Sequence, residues 1–156
     1  MRRFNLNEPN LEVDPGEPAP FGAGTDRFGK EIGASRLGGT VYELKPGQSV
    51  CPYHYEITEE EWCIALSGRP TVRHPEGEDE LAEGDVVCFP RGETGAHKVT
   101  NRGTETIRVL MISEVVDPAL TVYPDSGKVG VYAGDDPFLI RRSDAVDYFD
   151  GEPLHP

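Results

Sequence analysis

No stretch of this sequence approaches the roughly 20 consecutive apolar residues that a membrane-spanning helix needs. The N-terminal MRRFNLNEPN carries two arginines but no apolar segment behind them, so it does not read as a secretory leader, and cytoplasmic residence is the expectation. Cysteine is scarce. There are three, Cys51, Cys63 and Cys88, an odd number without a CxxC pair. That excludes a disulfide framework and a zinc knuckle, and predicts small buried residues in a reducing compartment. Basic charge is short as well: 15 lysines and arginines face 28 acidic residues, for a net charge of −13. So acidic a surface repels phosphate backbones, which argues against a nucleic-acid partner. The sequence also lacks a phosphate loop, a dinucleotide fingerprint, a recognisable nucleophile–base pair and any internal repeat of solenoid or propeller period.

Turn formers, by contrast, are abundant: 18 glycines and 14 prolines punctuate short apolar runs in a chain of one-domain length. Residues 5–36 are Pro/Gly-rich and predict an arm with little regular structure. From RLGGTVYELKPG onward, strands are expected at short intervals: 51–56, 61–66, 70–74, 78–82, 86–89, 97–100, 107–116 and 120–123. The apolar run 86–89 reads as buried on both sides or as lying at a sheet interface. One helical turn, with Ser143 as its N-cap, is expected over 143–148. This spacing describes an all-β jelly-roll barrel with a mouth at one end. Its expected parts are an N-terminal arm (1–36), a barrel (37–122) and a C-terminal extension (123–156).

The chemistry concentrates in CPYHYEITEEEW, residues 51–62. In a strand, residues two apart share a face, so His54 and Glu56 point one way and Tyr53 and Tyr55 the other, packing outside the barrel. Ile57–Glu60 has the length of a hairpin connection. A hairpin would set Glu61 across from the His54–Glu56 edge, with Glu59 and Glu60 solvated in the turn. On the second strand Glu61, Cys63 and Ala65 share the face towards a ligand. Trp62, Ile64 and Leu66 share the other, as core or as a subunit interface. Cys63 reads as a small core residue that could also line the pocket. Arg91, Lys98 and His74 read as solvent-facing, and His155 as incidental.

Gly47, His54, Glu56, Glu61 and Gly68, followed by Gly84, Pro90, Gly92, His97 and Asn101, resemble the two motifs of the cupin superfamily across about residues 40–115. The tail YPDSGKVGV at 123–131 resembles that of a branch of small bacterial single-domain cupins. The resemblance implies a double-stranded β-helix that holds a divalent metal, zinc, manganese, iron or nickel, through His54, Glu61 and His97. Glu56 stands where the family carries a second histidine and is expected as a fourth ligand. A free Glu56 or Glu61 is then a candidate catalytic base. The implied function is a metal-dependent oxygenase, isomerase or lyase acting on a small organic substrate. The alternative is a non-catalytic binder of a small molecule such as a sugar. The resemblance also implies a homodimer.

Overall fold

The computed structural model describes residues 1–153, and His155 lies outside them. Twelve strands form three antiparallel sheets. The first contains β1 (Gly24–Arg27), β2 (Leu37–Leu44), β9 (Ile107–Glu114), β4 (Glu61–Ser67) and β7 (Val86–Phe89), in that order. The second runs β12 (Phe138–Arg141), β11 (Lys128–Tyr132), β10 (Ala119–Tyr123), β3 (Tyr55–Glu56). The third runs β6 (Gly77–Glu80), β5 (Thr71–His74), β8 (Lys98–Thr100). Together they make the double-stranded β-helix, or jelly roll. Among the described residues, no helix is long and apolar enough to cross a membrane.

The core lies inside the barrel. Cys63, Ala65, Val72, Leu81, Phe89, Val99, Val109 and Met111 form one buried cluster. Ala23, Leu44 and Ile107 form a second, and Tyr42 and Val50 pack against both. Cross-strand partners project to the same side of a sheet. The register Ala65–Val109–Tyr42–Thr25 and the register Cys63–Met111–Thr40–Arg27 therefore line the interior side, the second ending at an exposed Arg27. Glu61, two residues before Cys63, opens a third beside Ser113 and Phe89. Asn101, fully buried, ties two loops together: its Nδ2 donates to the carbonyls of Leu44 and Glu105, both at 2.8 Å.

Several expectations are corrected. Only Tyr55–Glu56 of the 51–56 segment is strand, and it pairs with β10 instead of forming a hairpin with β4. The bulky row of β4 is not core: Trp62 is 45% exposed, while the small Cys63–Ala65 row fills the interior. A narrow barrel receives side chains from facing sheets, so small residues fit inside it and large ones are left outside. β7 is an edge strand with Val86 and Cys88 exposed, so the 86–89 run is not buried on both sides, and Cys88 is not a buried cysteine. Tyr53, expected outside the barrel, belongs to neither core cluster and packs beneath the Arg73 guanidinium, 3.8 Å from its ring centroid. The expected turn at 143–148 is a 3₁₀ turn at Arg142–Asp144, and Ser143 does not cap it.

Candidate metal centre

The two histidines are brought together by backbone pairing. His54 N donates to His97 O at 3.1 Å and His97 N donates to His54 O at 2.8 Å. His97 follows a 3₁₀ turn at Glu93–Gly95, where the chain doubles back on Pro90. A Cβ on Gly95 would sit 1.7 Å from the Pro90 carbonyl oxygen, so only glycine fits. Glu61, at the start of β4, reaches the same point from the five-stranded sheet.

Each imidazole is aimed by its other nitrogen. His97 Nδ1 lies 2.9 Å from the Gly95 carbonyl, and His54 Nδ1 lies 3.0 Å from that of Pro52. As donors there, the Nδ1 atoms turn both Nε2 atoms inward, the arrangement that orients metal-bound histidines. Phe89 stacks on His97 at 3.6 Å between centroids and fixes its plane. Glu61 Oε2 is 3.4 Å from His54 Nε2 and 3.5 Å from His97 Nε2. Glu56 Oε1 is 3.5 Å from His54 Nε2. These separations are long for hydrogen bonds. Ligand atoms about 2.1 Å from a tetrahedral ion, however, lie about 3.4 Å from one another. Glu61 Oε2 and His97 Nε2 are buried without any hydrogen-bond partner, the state most costly for a polar atom. The ligand atoms of His54, Glu61 and His97 all fall within 4.8 Å of one another, so these three residues could hold a metal ion.

The charges are strongly coupled. Burial works against a charged His54, but Cys51 and Glu61 beside it prevail and raise its pKa to about 11. Burial and the neighbouring His54 push His97 down to about 4. Burial opposes ionisation of Glu61, yet the two imidazoles hold its pKa below the usual value. Glu56 differs. Burial raises its pKa, although the Thr121 hydroxyl lies 2.8 and 2.9 Å from its two oxygens and donates to the carboxylate.

A cavity of about 370 Å³ opens beside the cluster. Sequence reasoning missed most of its wall: Arg27, Tyr42, Thr121, Tyr123 and Tyr132. The Tyr123 and Tyr132 hydroxyls are 2.8 Å apart. A period-two reading of β10 could have found Thr121 and Tyr123, which share a face; Arg27 and Tyr132 leave no local signal. Glu59, expected in solvent, is half-buried in this wall, and burial with Glu56 and Glu61 nearby raises its pKa to about 7. Glu60 does point outward, accepting from the Trp62 indole at 2.9 Å. Cys51 Sγ lies 3.3 Å from His54 Nδ1, a contact that no motif announced. Arg91 pairs with Glu114 at the surface, Lys98 lies 5.5 Å from the Phe21 ring centroid, and His74 sits between Glu76 and Asp79.

The cupin domain profile matches residues 40–113. Among solved structures, one from Acidithiobacillus ferrooxidans, provisionally named a sugar phosphate isomerase, is 25% identical with a TM-score of 0.82, covering 91% of each chain. A sugar phosphate isomerase of the cupin superfamily from Silicibacter pomeroyi is 19% identical with a TM-score of 0.81, covering 95% of this chain and 98% of its own. A polyketide cyclase from Streptomyces resistomycificus is 22% identical with a TM-score of 0.61, covering 76% of this chain and 83% of its own. No curated protein matches by sequence. The barrel, the two motifs converging inside it and the matched profile lead to one assignment: residues 40–113 of the chain form a cupin domain.

Proposed function

We propose that this protein is a metal-dependent cupin enzyme that moves a proton within a small oxygenated substrate, an isomerase- or lyase-type reaction. The observation that carries the reading is the pair of orphaned buried atoms, Glu61 Oε2 and His97 Nε2, facing His54 at ligand spacing. His54, Glu61 and His97 hold the ion, which as a Lewis acid would polarise a substrate carbonyl or hydroxyl. Two nitrogens and a carboxylate suit iron, manganese, nickel or zinc. Glu56 is the base. It stands at the edge of the cluster, its proton affinity is raised by burial, and Thr121 fixes both of its oxygens. The name given to the Acidithiobacillus neighbour supports the isomerase class over an oxygenase.

Glu56→Gln is expected to retain the metal and lose about 100-fold or more in turnover, within the range for a positioned base. Metal content and single-turnover rates check this. A matching loss of metal affinity would make Glu56 a ligand and not the base.

The protein is also proposed to work as a homodimer in the cytoplasm. Trp62, Ile112 and Leu37 form an apolar groove on the outer face of the five-stranded sheet, and Val86 lies 53% exposed on the adjoining edge strand. A second copy of the same face covers such a surface by two-fold symmetry. Light scattering is expected to give twice the chain mass, and Trp62→Glu the chain mass alone.

A further inference from the structure

Among the described residues, Arg27 is the one arginine or lysine lining the metal-site cavity, and it also lines a neighbouring cavity of about 860 Å³ under the N-terminal arm. It stands at the end of the interior row Arg27–Thr40–Met111–Cys63, on the same face as Glu61. Its side chain is exposed, at the point where the two cavities open side by side. Arg27 makes no ion pair among the described residues, although five acidic residues, Glu12 and Asp26 among them, line the outer cavity with it. Asp26 is turned to the opposite side of β1 and accepts the Asn10 N–H at 2.6 Å.

We propose that the Arg27 guanidinium receives the carboxylate of a small hydroxy- or oxo-acid whose oxygenated far end reaches the His54–Glu61–His97 centre. This rests on the metal reading of the site. β1 and β4 are separated by three strand spacings, about 14 Å between backbones. Side chains project into that gap from both ends, so the space left suits a chain of a few carbons, in keeping with a cavity of about 370 Å³. The planar guanidinium fork matches a carboxylate with two parallel hydrogen bonds. A phosphate ester fits less well. The acidic residues of the outer cavity repel a dianion more strongly than a monoanion, and no second arginine or lysine is present to share the charge. The hydroxyls of Tyr42 and Tyr132, which line both cavities, stand along the path for the ligand's own hydroxyls.

The test is calorimetric titration of the full-length, Mn²⁺-loaded protein with D-gluconate, D-glucose 6-phosphate and D-glucose. Gluconate is expected to bind tightest. Arg27→Gln is expected to weaken it by about tenfold or more, Arg27→Lys by less, and neither to change Mn²⁺ affinity measured by electron paramagnetic resonance. Tighter binding of the phosphate ester, equal binding of glucose, no gluconate binding, or an unchanged gluconate affinity in Arg27→Gln overturns the proposal while leaving the metal reading intact. Failure of the wild type to take up Mn²⁺ overturns the metal reading and this proposal with it.

Discussion

Exchange of Glu61 for glutamine is expected to strip the protein of its metal while leaving the barrel folded. Glutamine keeps the size and hydrogen-bonding reach of glutamate, so the interior row beside Cys63 and Met111 retains its packing. What disappears is the anion. In the metal-free protein that anion is held by the two imidazoles, and its Oε2 has no hydrogen-bond donor of its own. With an ion present, the same oxygen is the negative donor among neutral nitrogens. Its loss is expected to weaken Mn²⁺ or Zn²⁺ binding by about 100-fold or more, since removing a merely supporting group already costs about 10–100-fold. Titration of the variant beside the wild type checks this, with circular dichroism confirming that both are folded. His97→Ala is a less clean probe, because His97 is 2% exposed and stacks on Phe89, so its removal also opens a cavity.

Gly95→Ala carries the largest expected loss of stability. The added Cβ would lie 1.7 Å from the Pro90 oxygen, 2.8 Å from its carbon and 2.9 Å from its nitrogen. These are backbone atoms that no rotamer change can move aside. The 3₁₀ turn must open, at a cost of about 3 kcal/mol or more, the upper range for overpacking. For a chain of this size that lowers the melting temperature by roughly 10 °C. Because the Gly95 carbonyl also orients His97 through Nδ1, the variant should lose metal affinity along with stability. Gly22→Ala is the control: its nearest neighbour would be 3.9 Å away, and its melting temperature should stay near that of the wild type. The two curves from thermal denaturation decide the matter.

Much of this centre is legible in the sequence because His54, Glu61 and His97 fall at motif spacing and sit on strands or beside them. Which elements join was harder to read. The four residues between Glu56 and Glu61 suit a hairpin loop, yet they carry the chain from one sheet to another. The true partner of Glu56 is Thr121, 65 positions away, and local pattern does not report a pairing at that distance. Periodicity also showed that Glu61, Cys63 and Ala65 share the ligand-facing side of β4, but it left Trp62 open between core and a subunit interface. Its exposure removes the core reading, because the interior is filled from opposing sheets and favours small residues there. The cavity wall was the least legible part. Arg27, Tyr42, Tyr123 and Tyr132 come from four strands of two sheets, and each alone reads as an ordinary strand residue.

The central claim is that His54, Glu61 and His97 together bind a divalent ion. The most direct measurement is anomalous diffraction from crystals of the purified protein soaked in Mn²⁺, recorded near the manganese edge. The account predicts one dominant anomalous peak within about 2.0–2.3 Å of His54 Nε2, His97 Nε2 and Glu61 Oε2. A map with no peak between these residues, from crystals soaked at millimolar Mn²⁺ and neutral pH, would contradict it.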